Sequence, residues 1–291
     1  MSDTDRIRAI SQAVGSLSEP SSLKGLSYRG NGTAPLPSGE ELGKFVELCR
    51  AVLFPGFYGR SSITFGTVNF HIGVAVEKLY GILAAQVDAG LGFAGGAGGD
   101  ERRERARDIA AGLVASLPRI RWELAADVDA AYLGDPAAGS HAEVIACYPG
   151  VKAITNYRIA HELHLRGVPL IPRMITEMAH AATGIDIHPG AEIGGDFSID
   201  HGTGVVIGAT CVIGDRVKLY QGVTLGAKSF PLDGDGNPIK GVLRHPLIGN
   251  DVVVYANATV LGRVKIGDGC VVGANVWVTE DMPPGTQKAR A

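Results

Sequence analysis

The chain of 291 residues is long enough for one large or two modest domains, at ~100–200 residues each. It carries 41 Gly, about twice the usual share of ~7%, but no three-residue Gly period, which excludes collagen. A hydrophobic content of 45% and a net charge of −3 exclude a wholly disordered chain and argue against a strongly basic nucleic-acid-binding surface.

The cysteines and the first residues favour a cytoplasmic protein. The four cysteines, at 49, 147, 211 and 270, form no CxxC pair and no disulfide-rich pattern, as is typical of a reducing compartment. The N-terminal residues MSDTDRIRAI lack the apolar centre of a signal peptide. No apolar run reaches the ~18 residues of a membrane span. We therefore expect localisation in the cytoplasm, with no membrane and no nucleic acid as partner.

The first two thirds of the chain are predicted to be an arm followed by helices. Residues 1–39 are rich in Ser, Gly and Pro, which predicts a flexible N-terminal arm. Residues 40–183 are predicted to form an α-helical domain, with the glycine-rich stretch 89–99 as a flexible connector. Apolar periodicity places the helices at about 41–52, 70–87, 100–117, 118–133, 149–166 and 168–182.

A six-residue period begins after Gly184. Apolar or small residues recur at Ile187, Ile193, Ile199, Val205, Cys211, Val217 and Val223, with a second line two residues out of phase. This period matches neither a helix nor a simple strand, but it is typical of a parallel β-helix with 18-residue coils. We expect a β-helix over 184–291, with about four coils and an excursion loop at 226–247. Two of the cysteines, Cys211 and Cys270, occupy apolar lines and are predicted to fill the core.

One histidine interrupts the apolar lines. Counting in steps of six places His201 on the apolar line that continues as Ile207 and Ile213, so an imidazole would replace an aliphatic side chain. Asp186 lies 15 positions earlier, close to one circuit of a coil, which predicts that the two side chains meet across adjacent coils. A carboxylate beside an imidazole fixes the tautomer and supports a general base. A purely structural scaffold is the alternative interpretation of this β-helix.

The excursion loop ends with a second polar group. Its segment 233–238 (DGDGNP) lacks the pattern of an EF-hand calcium loop and is predicted to be a turn. Arg244 and His245 follow, and a guanidinium next to an imidazole offers donors to a carboxylate.

Together these motifs resemble the serine O-acetyltransferases of the hexapeptide-repeat acyltransferase family, in their longer bacterial form. The resemblance spans about Asp127 to Pro284 and rests on the segments GIDIHPG (184–190), IDHGTG (199–204), QGVTLGA (221–227) and RHP (244–246). It implies an α+β chain, with a helical N-terminal domain followed by a left-handed parallel β-helix.

The resemblance also implies a mechanism, in which an acetyl group passes from acetyl-CoA to the L-serine hydroxyl in a ternary complex. His201 would remove the hydroxyl proton and Asp186 would orient the imidazole. Ala227, Ala256 and Ala274 would lie against the pantetheine arm of the co-substrate. The resemblance implies no metal requirement.

By the same resemblance, Arg244 and His245 would hold the serine carboxylate, while Asp200 and Asp135 would hold the ammonium group. The implied assembly is a homotrimer or a dimer of trimers, with L-cysteine as a feedback inhibitor. A complex with O-acetylserine sulfhydrylase is not expected, because the sequence ends at Ala291 without the isoleucine of the family's complex-forming tail.

Two enzymatic alternatives stay open at this point. An O-acetyltransferase for a sugar or antibiotic hydroxyl would share His201 but would not need groups for a zwitterion. A hexapeptide-repeat zinc hydratase would need three histidines on one metal, and His188, His201 and His245 are the ones available in the repeat.

Overall fold

The computed structural model describes the residue ranges 1–23, 26, 35–59, 62–95 and 98–289. By internal contacts the chain forms two compact units, Met1–Pro35 and Leu36–Ala291. In these described ranges, no helix combines the length and the apolar character needed to cross a membrane.

The first unit contains helices α1 (Asp3–Ser18) and α2 (Pro20–Leu23). A capping box begins α1: the Ser2 hydroxyl accepts the Asp5 amide proton, and the Asp5 carboxylate accepts the Ser2 amide proton. No side chain of α1 is buried within the unit. A regular helix was not predicted in the arm 1–39, because that prediction used the overall composition of the arm and not this local capping box. Positions 24, 25 and 27–34 of the arm lie outside the described residues.

In its described residues, the second unit begins with six helices. They are α3 (Gly39–Leu53), α4 (Val68–Phe93), α5 (Gly99–Gly134), α6 (His141–Cys147), α7 (Pro149–Leu165) and α8 (Ile171–Thr183). Helix α6 was not predicted, because seven residues are too few for a periodic signal. Its start is nevertheless specified locally, since the Ser140 hydroxyl accepts the amide proton of Glu143.

The predicted break between 117 and 118 is wrong, because α5 continues through Pro118. A proline inside a helix removes one backbone hydrogen bond and costs ~3 kcal/mol or more. Here the buried face of the helix is unbroken on both sides of the proline, at Leu113, Leu117, Ile120 and Leu124. Packing of this continuous apolar face outweighs the local cost.

The glycine-rich connector is shorter than the predicted 89–99. Helix α4 runs on to Phe93, and Ala89, Gly90 and Leu91 are buried. A Cβ atom on Gly90 would lie 3.2 Å from the Pro169 carbonyl oxygen, so the glycine allows close packing there. Positions 96 and 97 lie outside the described residues.

After α8 the chain winds into a parallel β-helix with three sheets. In the described part of the chain the sheets have the strand orders β1-β4-β7-β10-β13, β11-β8-β5-β2 and β14-β12-β9-β6-β3. The strands are β1 (Asp186–Ile187), β2 (Glu192–Ile193), β3 (Ser198–Asp200), β4 (Val206–Ile207), β5 (Val212–Ile213), β6 (Lys218–Tyr220), β7 (Thr224–Gly226), β8 (Leu247–Ile248), β9 (Val253–Val254), β10 (Thr259–Leu261), β11 (Lys265–Ile266), β12 (Val271–Val272), β13 (Trp277–Val278) and β14 (Gln287–Lys288). They make about five turns, where about four were predicted, because β14 adds pairing beyond the last counted repeat.

The first coil is two residues longer than the others in the regular repeat. Ile187 pairs with Ile207, twenty positions on, whereas Ile207 pairs with Leu225, eighteen positions on. The predicted apolar line is therefore wrong across the turn that follows β3. The two extra residues shift its phase, so Ile187 lies beside Ile207 rather than beside Val205.

The interior of the β-helix is aliphatic, as the period predicts. Cys211 and Cys270 are fully buried in it, which confirms their predicted place in the core. Burial raises the pKa of the Cys211 thiol to about 12, so this sulfur stays protonated and unreactive at neutral pH.

A buried ion pair joins the helices to the first coil. Arg158 of α7 donates from Nε to Asp127 Oδ2 (2.7 Å) and from Nη2 to Asp127 Oδ1 (2.9 Å). Each partner also holds the β-helix backbone: Arg158 Nη2 donates to the Gly194 carbonyl (2.9 Å), and Asp127 Oδ1 accepts the Phe197 amide proton (3.0 Å). The four groups form one connection between α5, α7 and the turn before β3.

The change from helix to strand occurs where the sequence predicts it. Helix α8 ends at Thr183, Gly184 follows in the left-handed conformation with φ 72°, and β1 starts at Asp186. Both parts belong to the compact unit Leu36–Ala291. The division at 39/40 and 183/184 into three domains stays a prediction.

Replacing Asp127 with Asn should destabilise the fold strongly. It removes the nearer counter-charge of the buried Arg158 guanidinium and leaves only the Glu123 carboxylate, at 3.5 Å. Breaking a buried pair in this way costs about 3–5 kcal/mol. Thermal and urea unfolding at matched protein concentration measures the loss. Asp129→Asn is the control, because Asp129 is an exposed carboxylate on the same helix. An Asp127→Asn midpoint equal to that of the control would contradict the role of the pair.

Candidate active site

His201 lies on an exposed turn between β3 and β4. Its side chain is 75% exposed, and its backbone has φ 57°, which is unusual for a residue with a Cβ. Gly202 follows with φ 87°. The prediction that His201 points into the apolar interior is wrong, because the two extra residues of this coil move it out to the turn. Other non-glycine residues at turns of the β-helix, such as Asn257 and Asn275, also have a positive φ, so His201 is set apart by its exposed imidazole and not by its backbone.

Two carboxylates lie beside this turn. Asp200 Oδ1 is 3.8 Å from His201 Nε2, and Asp200 Oδ2 is 3.2 Å from Lys218 Nζ. Asp135, just after α5, accepts a hydrogen bond of 2.5 Å from the Tyr148 hydroxyl. A small cavity between the helices and the β-helix is lined by both aspartates together with Tyr148 and Lys218. The structure thus brings three predicted residues together: His201, Asp200 and Asp135.

Hydrogen bonding keeps Asp135 ionised. Its pKa is lowered, first by the Tyr148 hydroxyl and then by the Ala137 amide, which donates to Oδ1 at 2.8 Å. The same bond raises the pKa of Tyr148 to about 12. At neutral pH the pair is therefore a phenol donating to a carboxylate, and the free lone pairs of Asp135 can accept from a cation.

A second group of polar residues lies elsewhere on the β-helix. The turns after β1, β4, β7 and β10 form what we term the first edge, and the turns after β3, β6, β9 and β12 form the third edge. His201 is on the third edge. Arg244 and His245 are on the first edge, in the long turn between β7 and β8.

His245 is buried and firmly held on the first edge. The Thr210 amide donates to its Nδ1 (3.1 Å), the Thr210 hydroxyl lies 2.8 Å from the same nitrogen, and Arg263 Nη1 donates to the His245 carbonyl (3.1 Å). Burial, with Arg244 as the next cause, lowers the pKa of His245 to about 4. The ring is therefore neutral near pH 7, and because Nδ1 accepts, its proton is on Nε2. A neutral Nε2–H donor beside a guanidinium suits a carboxylate ligand.

Asp186 is the first residue of β1 and lies between the two edges. It forms an ion pair with Arg173 Nη1 at 3.2 Å. The predicted meeting of Asp186 with His201 within one chain is wrong: in the described residues each has other neighbours, Arg173 for Asp186 and Asp200 for His201. The reason is the long first coil, since 15 positions fall well short of its 20-residue circuit.

The three alanines are divided between the same two edges. Ala256 and Ala274 follow β9 and β12 on the third edge, and the Asn275 amide donates to the Ala256 carbonyl at 2.9 Å, so they stack on successive coils. Ala227 follows β7 on the first edge. Their small side chains leave the backbone of these turns accessible to an extended ligand.

The three repeat histidines do not form a metal centre in the described chain. The Nδ1 atoms of His188 and His245 each accept a backbone amide proton, from Gly190 (2.9 Å) and Thr210, so the Nε2 atoms of both neutral rings carry the proton and neither ring has a free nitrogen for a metal. This arrangement disfavours the hydratase alternative.

Elsewhere, ligand atoms of Glu177, His180 and Asp186 come within 4.8 Å of one another. Arg173 forms ion pairs with both of these carboxylates. One guanidinium thus already compensates half of their negative charge.

Four side chains that hold the predicted residues in place were not predicted from the sequence: Tyr148, Arg173, Thr210 and Lys218. None lies in a motif, and each acts through a contact between distant segments. The coil spacing does not identify Lys218 either, because in the twenty-residue first coil it lies beside Ser198 and not beside Asp200.

His245 should stay neutral, with its proton on Nε2, from pH 7 down to about pH 5, because its pKa is about 4 in the folded protein. In an unfolded chain a histidine titrates near 6.5, so its protonation favours unfolding. Its contribution to stability is fully present above about pH 6.5 and is lost as the pH falls towards 4. Nitrogen NMR on histidine-labelled protein reports tautomer and titration, with His245→Gln identifying the signal. An Nδ1–H tautomer or a midpoint near 6.5 would contradict the assignment.

Comparisons with known proteins agree on one family. Residues 245–280 match the model described as bacterial transferase hexapeptide (six repeats). A plasmid-encoded serine acetyltransferase of Synechococcus elongatus is 49% identical over 258 residues, which cover 87% of this chain and 81% of that protein. Among solved structures, Entamoeba histolytica serine acetyltransferase 1 in complex with L-cysteine has a TM-score of 0.75 and 36% identity, covering 84% of this chain and 86% of its own.

A third comparison is more distant but covers more of the fold. The serine acetyltransferase of Neisseria gonorrhoeae, solved in complex with serine, has a TM-score of 0.55 and 27% identity, with 88% of this chain and 95% of that chain covered. The order of helices and β-helix, the extent of the match and the level of identity lead to one conclusion: this chain belongs to the serine acetyltransferase family.

Proposed function

We propose that the chain transfers the acetyl group of acetyl-CoA to the hydroxyl of L-serine, giving O-acetyl-L-serine and CoA, as a step of cysteine biosynthesis. The observation that carries the residue assignment is His201, an exposed imidazole on a strained turn with the carboxylates of Asp200 and Asp135 beside it. No aliphatic scaffold needs such a group.

Serine is a zwitterion, and the two edges offer complementary charges. We assign Asp135 and Asp200 on the third edge to the ammonium group. Arg244 and the neutral Nε2–H of His245 on the first edge take the carboxylate. An acceptor with a simple hydroxyl, such as a sugar or an antibiotic, would have no use for this set, so serine is the better-supported substrate.

Because these two groups lie on different edges, we propose that a second copy of the chain completes the site. In a homotrimer, three-fold symmetry repeats one heterologous interface, and we propose that the third edge of one subunit faces the first edge of the next across it. Asp186 would then reach the imidazole of a neighbouring subunit. Its own chain already holds it in place through Arg173. Pairing of two such trimers is compatible with the same site.

The chemistry requires a base and a route for its proton. His201 takes the hydroxyl proton while the serine oxygen attacks the thioester carbonyl carbon, giving a tetrahedral intermediate. The C–S bond then breaks, and the imidazolium returns the proton to the departing CoA thiolate. A well-placed base contributes ~10²–10⁴-fold in rate. Asp186 would orient the ring and stabilise its charged form.

Acetyl-CoA would lie along the turns. Ala256 and Ala274 stack on the third edge and leave room for an extended pantetheine arm, with Ala227 approaching from the first edge of a neighbour. No step of this mechanism requires a metal ion. L-cysteine shares the charged ends of serine, so we expect it to compete at the serine site, consistent with the cysteine complex of the Entamoeba protein. The four free thiols fit the reducing cytoplasm, where we place the enzyme.

His201→Ala should lower the kcat of serine-dependent thiol release from acetyl-CoA by ~10²–10⁴-fold, because it removes the assigned general base. The assay uses L-serine, sugars and chloramphenicol as alternative acceptors. His141→Ala is the matched control, since His141 is an exposed histidine of the helical part. Serine-dependent release close to the parental rate in His201→Ala would contradict the base assignment. Release with sugars alone would contradict the substrate.

A further inference from the structure

Lys218 joins the two segments that carry the assigned ammonium-binding carboxylates. It lies on β6, directly beside Ser198 of β3, with its side chain mostly buried at 17% exposure. Its Nζ donates to the Gly134 carbonyl at 2.7 Å and is 3.2 Å from Asp200 Oδ2. The same nitrogen is 4.5 Å from the centre of the Tyr220 ring.

The contact with Gly134 fixes the end of α5. Gly134 is the last residue of that helix, and Asp135 follows it directly. An ammonium group on a carbonyl at a helix C-terminus is electrostatically favourable, because the helix dipole is negative there. Tyr148 holds the Asp135 carboxylate from the other side, at 2.5 Å. The position of Asp135 is therefore set by two contacts, one to the backbone and one to the side chain.

The contact with Lys218 determines which carboxylate oxygen of Asp200 lies nearer to the His201 imidazole. Lys218 engages Oδ2, and this leaves Oδ1 as the atom nearest to His201 Nε2. The lysine stays charged: burial opposes the charge, but hydrogen bonds to Tyr220 and Asp200 raise its pKa above the usual value. A permanent cation thus orients Asp200 without depending on pH near neutrality.

We propose that Lys218 is a positioning residue for serine recognition: it links the Gly134 carbonyl to Asp200 and so holds Asp135 and Asp200 at the separation needed by one ammonium group. This inference rests on the proposed assignment of those two carboxylates. Lys218 itself touches neither the acetyl group nor the reacting oxygen, so its effect falls on serine binding and not on the thioester.

Lys218→Met should raise the KM for serine by about tenfold or more, since displacement of binding groups by ~1 Å has effects of this size. The KM for acetyl-CoA should change less than twofold. Lys218→Arg should recover most of the serine affinity, because a guanidinium can still bridge a carbonyl and a carboxylate. Tyr148→Phe, which removes the other support of Asp135, should show the same split between the two KM values. Lys265→Met is the matched control, as Lys265 is an exposed lysine on β11.

Each alternative outcome identifies a specific failure. A serine KM within twofold of the parent, or below it, would overturn the positioning role, and a lower value would mean that Lys218 competes with the substrate ammonium. A parallel rise of both KM values with no recovery in Lys218→Arg would show a merely structural lysine. Asp200→Asn distinguishes a failure of the ammonium assignment from a failure of the positioning role of Lys218. If it leaves the serine KM unchanged, the ammonium assignment fails and the proposal with it; if it raises that KM while Lys218→Met does not, only the proposal fails.

Discussion

The candidate active site depends on the buried pair Arg158–Asp127, because this pair determines where the helices sit on the β-helix. Both side chains are nearly inaccessible, and each also bonds to a backbone group of the first coil, at Gly194 and Phe197. Such a pair is costly to bury but geometrically demanding, so it specifies one arrangement of α5 and α7 against β3. Gly150 adds to this, since a Cβ there would collide with the Ile199 carbonyl.

That arrangement has a direct chemical consequence. Asp127 and Asp135 lie on or just after the same helix, so anchoring α5 at Asp127 carries Asp135 to the turn of His201. The helical part thus contributes one carboxylate and the β-helix contributes the other. Lys218 and Tyr148 then orient the side chains of Asp200 and Asp135, after the buried pair has fixed the position of the helices.

Much of this could be predicted from the sequence, and the failures have physical causes. The six-residue period reveals the β-helix because every coil buries aliphatic side chains at the same positions. The residue types of the site, an imidazole with carboxylates and an Arg-His pair, are visible for the same reason: they depart from that pattern. The six-residue period does not reveal the two extra residues near Gly202. Because of them, His201 is exposed instead of interior. The role of Lys218 could not be predicted either, because it depends on contacts with Gly134 and Asp200 and not on the residues next to Lys218 in the sequence.

The central claim is that His201 and Arg244 act on one serine molecule from different subunits, since one chain holds them on separate edges. Mixing two inactive variants tests it directly. When His201→Ala and Arg244→Ala are co-expressed and assayed at low serine, roughly a quarter of the parental activity should return, because one interface in four pairs an intact His201 with an intact Arg244. Activity no higher than that of the two variants assayed separately would contradict the account.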